Sequence, residues 1–373
     1  MKYDVIVIGG GLAGLTASLC LAKEGRSVLV LEKNKYPYHK VCGEYVSNEV
    51  RPFLEYLGLD LNALGAVNIN TFSISNVKGK QLHTKLPLGG FGISRYTLDY
   101  ALYQLALRSG VTFQFETVLS CSFEENGFTL NSKNNEYRSK LAIGAFGKRS
   151  LLDKKLNRHF IHKKSPWVGI KAHYRVEDFL KDEVSLHCFP GGYGGLSMVE
   201  NGIVNFCYLA HYKHFQHYKS IEAFHENVIK GNSHLKRFFD RASPIFDHPL
   251  SIAQISFSKK EKVENHLLVC GDSAGLIHPL CGNGMAMAIH GAQIASKSLL
   301  KFLADDSYDR SQMEEEYSKA WKRYFGKRMF FGRKIQSVIT NPLLINGLFS
   351  LIPNSETILS KIIRQTHGKP ILV

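Results

Sequence analysis

Three glycines near the start of the chain have the spacing of a turn that binds a dinucleotide. Gly9, Gly11 and Gly14 follow an apolar run that predicts a buried strand over residues 5–8, and an amphipathic helix comes next. In such a turn the first glycine permits the bend, the second lets the backbone approach a pyrophosphate, and the third allows close packing of helix on strand. Because a helix N-terminus offers unpaired N–H groups and a partial positive charge, we expect the pyrophosphate to bind there without a lysine.

An acidic residue follows at the distance that this kind of site requires. Glu32 ends a second apolar strand, predicted over residues 28–31, where a carboxylate can accept hydrogen bonds from a ribose. A carboxylate there also repels a 2′-phosphate, which disfavours NADP and leaves FAD or NAD as the ligand. The N-terminal unit therefore predicts a dinucleotide site and leaves the choice of ligand to the rest of the chain.

A second glycine-rich motif lies far along the chain, over residues 269–292, and reads VCGDSAGLIHPLCGNGMAMAIHGA. Its first half predicts a strand that ends at Asp272, whose carboxylate could hold a hydroxyl group of a sugar alcohol. Its second half predicts a helix that begins within residues 282–285, and the N–H groups of such a helix start could face the electron-rich edge of a flavin. Taken alone, the motif is equally typical of a glycine-rich turn that caps an ordinary core helix.

Together the two motifs resemble the FAD-binding pattern of the para-hydroxybenzoate hydroxylase and geranylgeranyl reductase superfamily. The resemblance implies that the N-terminal glycines hold the FAD pyrophosphate, that Glu32 holds the adenosine ribose, and that Asp272 holds the ribityl chain. The reductase branch has a cysteine–glycine loop beside the flavin that is similar to VCGEYVS, residues 41–47, and the family's FAD-contacting arginine maps to Arg95. The cofactor-binding residues implied in this way are Gly9, Gly11, Leu12, Ala13, Gly14, Glu32, Lys33, Lys40, Cys42, Gly43, Arg95, Gly271, Asp272, Pro279, Gly282, Asn283, Gly284 and Met285.

Three departures from the family's pattern concern the electron donor and the reaction. Phe146 lies in IGAFGKRS, where the family usually has an aspartate associated with FAD and the pyridine nucleotide, so this residue argues against NADPH binding in that mode. No second GxGxxG turn occurs, and electrons must therefore come from a transiently bound NAD(P)H or from another protein. Trp167 and Trp321 stand alone, so the paired tryptophan motif of flavin-dependent halogenases is absent.

The resemblance implies an enzyme, an FAD-dependent oxidoreductase, for which two reactions compete. The first expectation is a monooxygenase that hydroxylates or epoxidises a small hydrophobic organic substrate through a C4a-hydroperoxyflavin, because this outcome is frequent in the family. The alternative is a geranylgeranyl-reductase-like ene-reductase of a prenyl or polyene substrate, which the segment at residues 42–44 favours. A third reading is an electron-transfer flavoprotein.

Four residues are candidates for a catalytic group. Cys42 and Cys281 lie in loops predicted to face the flavin, although a cysteine is more often a small buried hydrophobe than a reactive thiol. By the resemblance, Glu44 lies at the edge of the ring. His278 could donate a proton near the ring, and it is at least as typical of a loop histidine that bonds to backbone. No cysteine is paired with histidine at a metal-like spacing, and we expect no metal.

The charge of the chain predicts an anionic partner. The net charge is +15 at pH 7, which suits a nucleotide cofactor, an acidic membrane face or an acidic substrate. The excess is concentrated in a basic segment, residues 319–334, which could contact a membrane or a redox partner; a solvated helix packed by its aromatic face is the commoner case. No motif supports nucleic-acid binding. The cations of the basic segment are Lys319, Lys322, Arg323, Lys327, Arg328, Arg333 and Lys334.

The cysteine pattern and the N-terminus indicate a cytoplasmic location. Seven cysteines are scattered without a CxxC pair, which fits a reducing compartment better than a disulfide framework. The first predicted strand begins at once and leaves no room for a signal peptide, and no apolar run is long enough to cross a bilayer. We therefore expect a cytoplasmic protein that is at most peripheral to a membrane.

The predicted elements indicate an α/β fold. A Rossmann-like FAD-binding domain, discontinuous in sequence, should carry an inserted antiparallel β-sheet domain for the substrate, in which glycine turns separate alternating strands. We assign residues 1–70, 92–165 and 260–305 to the FAD-binding domain, residues 71–91 and 166–259 to the substrate domain, and residues 306–373 to a helical C-terminal region.

Overall fold

The computed structural model describes residues 3–339, 341–351 and 355–371, which form two β-sheets and the helices packed on them. In chain order the strands are β1 (Tyr3–Ile8), β2 (Val28–Leu31), β3 (Tyr45–Ser47), β4 (Val67–Ser75), β5 (Gln81–Gly92), β6 (Thr112–Gln114), β7 (Ser120–Glu124), β8 (Gly127–Asn131), β9 (Glu136–Gly144), β10 (Trp167–Arg175), β11 (Glu183–Phe189), β12 (Gly192–Met198), β13 (Val204–His211), β14 (Ser243–Pro244), β15 (Leu250–Ile252), β16 (Val263–Glu264) and β17 (Leu267–Val269). The α-helices are α1 (Leu12–Lys23), α2 (Arg51–Leu57), α3 (Arg95–Arg108), α4 (Leu151–Lys155), α5 (Tyr212–Phe215), α6 (Ile221–Asn227), α7 (Ser233–Phe239), α8 (Gly284–Ala304), α9 (Arg310–Ile339), α10 (Pro342–Leu351) and α11 (Ser355–Thr366).

The first sheet is parallel at its centre and carries both glycine-rich motifs. Its strand order is β16-β17-β9-β1-β2-β6, and β7 and β8 extend it beside β9. Strand β2 and most of β1 are fully buried, which explains why both read as unbroken apolar runs. Because β1, β9 and β17 run parallel, the turns that follow β1 and β17 lie at the same edge of the sheet.

The second sheet supplies the opposite wall of the molecule's main cavity. Its order is β14-β10-β13-β12-β11-β4-β5-β3, with β15 beside β10. The sheet is antiparallel except for β4 and β11, which pair in parallel. Strand β3 and the first residues of β4, which we expected in the FAD-binding part, hydrogen-bond to β5 in this sheet instead. Their partners are distant in sequence, and local patterning does not reveal such pairing.

Helix α9 packs on α8 and on the first sheet, α10 and α11 pack against the second sheet, and together these helices cover one end of the cavity. The aromatic side of α9 faces inward: Trp321 and Phe325 are buried, and the Tyr317 hydroxyl donates a 2.6 Å hydrogen bond to the carbonyl oxygen of Val269. The basic segment is thus a helix packed by an aromatic face, with most of its lysines in solvent. In the part of the chain that the structure describes, we find no helix with the length and apolarity needed to cross a bilayer.

Candidate active site

A large cavity extends from the N-terminal glycine turn to the C-terminal helices and is lined by residues of both sheets. Its volume is about 1230 Å³. A cavity for one drug-sized ligand measures roughly 300–1,000 Å³, so this one has room for a cofactor and a substrate together. Of the residues predicted to bind a cofactor, all line this cavity except Gly14 and Asn283.

The three glycines of the turn have the separate roles that their spacing predicts. Gly9 has φ of +101°, and a Cβ there would collide with the carbonyl oxygen of Ala145. At Gly14 a Cβ would collide with the carbonyl oxygen of Gly9, so this glycine serves the packing of helix on strand. A Cβ at Gly11 would instead collide with nothing, since its nearest neighbours are two side-chain nitrogens at 3.8 Å, an ordinary van der Waals distance. The backbone at Gly11 is therefore free to be approached by a ligand.

Those two nitrogens belong to Arg95 and Lys40, which share one buried carboxylate. Lys40 Nζ lies 2.8 Å from Asp99, and Arg95 Nε and Nη2 each lie 2.7 Å from it. Burial alone would raise the pKa of Asp99, but the charges of Arg95 and Lys40 outweigh it and hold the pKa below its usual value. Two cations on one anion leave a net positive charge beside Gly11. We expected a turn without a lysine, and the structure places the Lys40 ammonium beside it.

Glu32 is fixed at the end of β2, where the ribose was expected. Its Oε2 accepts a 2.7 Å hydrogen bond from Gly10 N, while Oε1 accepts from Asn34 N and from the Tyr38 hydroxyl. The side chain is 6% exposed and lines the cavity beside Lys33. The carboxylate is thus held in one orientation by the turn whose ligand it would contact.

The loop after β17 lies directly against the N-terminal turn. Gly271 has φ of +61°, and a Cβ there would lie 2.8 Å from Cβ of Ala13. Lys260 donates to the carbonyl oxygens of Asp272 and Lys148, at 2.8 and 3.0 Å, and so ties this loop to the segment that follows β9. Burial lowers the pKa of Lys260 to about 8. The two glycine-rich motifs, distant in sequence, therefore meet at one edge of the cavity.

Asn283 has a different position from the one that the motif suggested. Its neighbours Gly282, Gly284 and Met285 line the cavity, as does Pro279. The Asn283 side chain instead joins a buried polar network. Its Nδ2 donates to Glu49 Oε1 at 3.2 Å, and its Oδ1 accepts from Arg328 Nη1 at 3.0 Å. The residue connects the helix start to α9 because its amide can satisfy a buried carboxylate and a buried guanidinium at once.

The cysteine–glycine loop is held in place by its carbonyl groups. Each of three successive carbonyl oxygens accepts a hydrogen bond from a side chain of another element, and all three residues line the cavity. The pairs are Lys148 Nζ to Val41 O at 3.0 Å, Asn205 Nδ2 to Cys42 O at 3.2 Å, and Ser197 Oγ to Gly43 O at 3.1 Å. The second sheet thereby fixes the path of the loop along the cavity wall.

Glu44 is the centre of a buried charge cluster at this wall. Lys171 Nζ lies 2.5 Å from Oε1, His173 Nε2 lies 2.7 Å from Oε2, and Arg95 N donates to Oε1 at 2.7 Å. Burial alone would raise the pKa of Glu44, but Lys171 and His173 outweigh it and lower the pKa. His39, Glu44 and His173 lie close enough to hold a metal ion, with ligand atoms within 4.8 Å of one another. Because the Lys171 ammonium already pairs with Glu44, we do not assign a metal to this cluster.

The other catalytic candidates differ in their access to the cavity. Cys42 is partly buried and lines it. Cys281 also lines it, but burial raises the pKa of its thiol to about 12, which keeps the proton on sulfur at neutral pH. His278 is not part of the lining: its ring packs on Phe257 with centroids 3.8 Å apart, and burial followed by Arg333 lowers its pKa to about 3. A neutral imidazole turned into the core is poorly suited to donate a proton in the cavity.

Beyond the cofactor end, the cavity becomes an apolar chamber. One wall comes from the second sheet and the other from the C-terminal helices, so that the chamber joins segments from three parts of the chain. Polar side chains are few here, and the tyrosine hydroxyl of Tyr193 is already engaged by Leu280 N at 3.3 Å. Its apolar lining includes Phe72, Ile74, Leu82, Leu86, Val184, Leu186, Ile335, Val338, Ile339, Ile345, Phe349, Ile358, Leu359, Ile362 and Ile363.

The residues present fit an FAD molecule. The glycine turn leaves space at Gly11 for a pyrophosphate, and Lys40 with Arg95 supplies positive charge to it. Glu32 lines the cavity beside the turn, where its carboxylate could hold a ribose, and Asp272 lines it from the adjacent loop. Phe146 lines the cavity at the site of the family's usual aspartate, so no carboxylate stands at that position.

Comparison with known proteins agrees with this site. A model of a protein family described as an FAD binding domain matches residues 2–319. The chain belongs to this FAD binding domain family. Like its relatives in the family, it is an FAD-dependent oxidoreductase, and the resemblance to the superfamily of geranylgeranyl reductase is confirmed.

Two curated relatives of this FAD binding domain protein span most of its length. Conditioned medium factor receptor 1 of Dictyostelium discoideum is 24% identical over 390 residues, which cover 94% of this chain and 73% of the relative. Digeranylgeranylglycerophospholipid reductase 1 of Methanosphaera stadtmanae is 23% identical over 356 residues, which cover 86% of this chain and 80% of the relative.

Solved structures share the fold. A geranylgeranyl bacteriochlorophyll reductase-like protein from Thermoplasma acidophilum has a TM-score of 0.78 at 20% identity, covering 98% of this chain and 95% of that one. The flavin-dependent brominase Bmp2 has a TM-score of 0.81 at 19% identity, covering 98% of this chain and 93% of that one. At these identities the likeness shows that the FAD binding domain protein has the same fold.

Several residues of the site were not found by sequence reasoning. Lys171 and His173 are two residues apart on β10, so they share a face, and the polar alternation at residues 171, 173 and 175 was the sequence signal for that face. Asn205 lies opposite His173 on β13. Tyr36, whose hydroxyl donates to the carbonyl oxygen of Gly10, carries no local signal of its role.

Proposed function

We propose that this protein is a flavin-dependent reductase that saturates carbon–carbon double bonds in a long prenyl-chain lipid. The observation that carries the proposal is the apolar chamber, which continues without a break from the cofactor end of the cavity. A prenyl chain is long, flexible and almost free of polar groups, and a wall of aliphatic and phenyl side chains binds such a chain by burial alone. The name of the Methanosphaera relative, a digeranylgeranylglycerophospholipid reductase, supports this substrate class.

The chain's own residues would bind the cofactor, orient the substrate beside it and exclude water. FAD, when bound, supplies two-electron redox chemistry. Lys40, Arg95 and the glycine turn would hold its pyrophosphate, and the clamped loop at residues 41–43 would form the wall between cofactor and substrate. The apolar lining keeps water away from the double bond, which protects the reduced cofactor from side reactions. Saturating one double bond takes up two electrons and two protons; reduced FAD, when bound, would supply both electrons with one proton, and the second proton would be taken up from solvent.

The monooxygenase reaction, which we first expected, stays a prediction. It rests on the frequency of that reaction in the family rather than on a residue of this chain. Structural likeness to flavin-dependent halogenases concerns the fold alone, at 16–19% identity for the brominase Bmp2 and the halogenase CndH. The segment at residues 42–44 and the long chamber both favour reduction of a double bond.

Anaerobic turnover tests the proposal. The holoenzyme is reduced with dithionite and mixed with a digeranylgeranyl glycerophospholipid in detergent, and the lipid is then analysed by mass spectrometry. We expect reoxidation of the flavin absorbance together with a gain of two hydrogen atoms for each double bond reduced. A lipid that stays unchanged without oxygen and acquires an oxygen atom from labelled O₂ would overturn the proposal in favour of the monooxygenase. NAD(P)H then replaces dithionite to test the transient donor.

A further inference from the structure

We propose that the apolar chamber opens onto an anionic lipid bilayer and that α9, α10 and α11 form the docking surface. The inference rests on the proposed function, because it identifies where a lipid substrate enters. The docking surface consists of the exposed residues of these three helices. The lipid mouth is the opening of the chamber beside Ile358.

The position of the lipid mouth is given by a residue that both lines the chamber and is exposed to solvent. Ile358 on α11 lines the chamber, yet 42% of its side chain is exposed to solvent. One turn further, Ile362 and Ile363 line the chamber more deeply. The chamber therefore reaches the surface at the start of α11.

Exposed apolar side chains surround the elements that form this opening. On α10, Ile345 and Phe349 point into the chamber, whereas the adjacent Leu344 is 51% exposed. Phe330 on α9 is also 51% exposed, one turn before the chamber-lining Ile335. Exposure of such side chains to water is unfavourable, and their burial in the interfacial region of a bilayer is favourable.

The charge of the same region complements an anionic surface. From residue 317 onward the chain has one acidic residue, Glu356, and many cations. Lys334 is exposed on the turn of α9 that contributes Ile335 to the chamber, and Lys361 and Arg364 are exposed on α11 between its chamber-lining residues. The exposed or partly exposed basic residues of this region are Lys319, Lys322, Arg323, Lys327, Arg333, Lys334, Lys361, Arg364 and Lys369.

These features together favour a bilayer over an acidic protein partner. Each lysine or arginine near an anionic leaflet contributes about 1 kcal/mol, and the exposed apolar side chains add the interfacial term. A soluble redox partner would explain the charge but not an apolar opening beside it. A lipid at this surface would pass from the bilayer to the chamber without exposing its chains to water.

Vesicle flotation of the full-length holoenzyme tests the docking surface. The protein is mixed with phosphatidylcholine vesicles, with or without phosphatidylglycerol, and the bound fraction is measured at several salt concentrations. We expect binding that needs phosphatidylglycerol and weakens with salt. The double variant Lys361→Glu/Arg364→Glu should bind at least about tenfold more weakly, and Leu344→Ser should weaken binding at both lipid compositions.

A matched variant controls for net charge. Lys133→Glu/Lys163→Glu makes the same change in charge at exposed lysines of distant loops, and we expect its vesicle binding to stay within about twofold of the wild type. Wild-type protein that fails to float with anionic vesicles, or equal losses in the two double variants, would overturn the inference.

A second readout separates this inference from the proposed function. The α11 double variant should reduce a short prenyl substrate in detergent at the wild-type rate and lose activity only on vesicle-embedded lipid, since neither substituted residue lines the cavity. If the wild type reduces no prenyl lipid at all yet binds anionic vesicles as described, the proposed function fails and the docking surface stands. An equal loss of both activities in the α11 variant would count against the lipid mouth.

Discussion

The carboxylate of Glu44 carries a full negative charge in a place that water does not reach. Its side chain is 0% exposed, and so is the side chain of Lys171 with which it pairs. Both charges lose their hydration on burial, and each is tolerable only because the other is present. Glu44 also has φ of +56°, an uncommon conformation for a residue with a Cβ. The cluster thus fixes the backbone at the end of the cysteine–glycine loop and the N-terminus of α3.

Removing the charge of Glu44 should lower both the stability of the fold and the affinity for FAD. Glu44→Gln leaves the Lys171 ammonium buried without a counter-charge, and we expect a loss of about 3–5 kcal/mol in the free energy of unfolding. FAD affinity should fall as well, because the backbone N–H of Arg95 loses its charged acceptor and Arg95 lines the cavity. Denaturant unfolding and flavin titration of the apoprotein measure the two effects.

The double variant Glu44→Gln/Lys171→Met is the control for this prediction. It removes both charges and should regain most of the lost stability, since a buried pair can be replaced by apolar groups at little cost. Unfolding midpoints that coincide for wild type and Glu44→Gln would show that the pair is not coupled in the folded state.

The Glu44 carboxylate should also affect how the free energy of unfolding depends on pH in the acidic range. The pKa of Glu44 is lowered in the folded chain, so its contribution to stability is present above the unfolded value of 4.5 and is lost as pH falls through the lower, folded value. Relative to wild type, Glu44→Gln should therefore lose less stability between about pH 5 and pH 3. Parallel pH curves for the two proteins would contradict the shift.

At the scale of elements, a buried ionic link holds α9 to the opposite side of the cavity. Arg328 Nη1 lies 2.9 Å from Glu49 Oε1, and the other carboxylate oxygen accepts from Gly368 N. Ile371 N donates to the carbonyl oxygen of Glu49 at 2.8 Å. One residue of the N-terminal half therefore holds both α9 and the segment after α11.

Breaking this link should loosen the C-terminal helices before the rest of the fold. Arg328→Met leaves Glu49 buried with neutral donors alone, and we expect a loss of about 3–5 kcal/mol. Trypsin should cut the variant early at Lys361 and Arg364, while the FAD absorbance is retained. The exposed neighbour serves as the control, since Lys327→Met should be cut at the wild-type rate. Simultaneous loss of FAD and of the C-terminal helices would argue against a separate element.

Elements were predictable where the signal is local. The strands β1 and β2 follow from unbroken apolar runs, and the start of α8 at Gly284 follows from the glycine-rich motif at that point of the sequence. The second sheet was predictable as β-rich, but its membership was not. Strand β3 joins it by pairing Tyr45 with Gly92, and the parallel contact of β4 with β11 joins residues more than a hundred positions apart. Such pairings are decided by the whole fold.

At the scale of the whole molecule, the site divides into a part that motifs reveal and a part that they do not. The cofactor end follows from glycines whose backbone conformation no other residue adopts easily, so the sequence marks it directly. The chamber is lined by ordinary leucines, isoleucines and valines from three distant segments, and each of them has the pattern of a core residue. Only the assembled fold distinguishes an apolar chamber from an apolar core.

Filling the chamber should shorten the substrate that it accepts. Leu186 on β11 lines it, and Leu186→Trp should reduce kcat/KM for a twenty-carbon prenyl chain at least about tenfold while a five-carbon analogue is affected less than twofold, because binding of a long chain scales with buried apolar area. Stopped-flow reoxidation of the reduced holoenzyme with each substrate provides the measurement.

Overpacking itself needs a matched control. Leu196→Trp on β12 makes the same substitution at a buried core residue that does not line the cavity, and either variant should lose about 1–3 kcal/mol of stability. Equal discrimination between chain lengths in the two variants would show that the effect comes from destabilisation and not from chamber length.

The distribution of the chamber walls along the chain has a consequence for biosynthesis. The strands of the second sheet end at residue 252 and are therefore synthesised before residues 335–363, which contribute the helical wall of the chamber. During translation the apolar face of the second sheet is exposed to solvent until the helices that cover it have been synthesised. Expression at low temperature or with added chaperones should therefore raise the soluble yield more than extra riboflavin does.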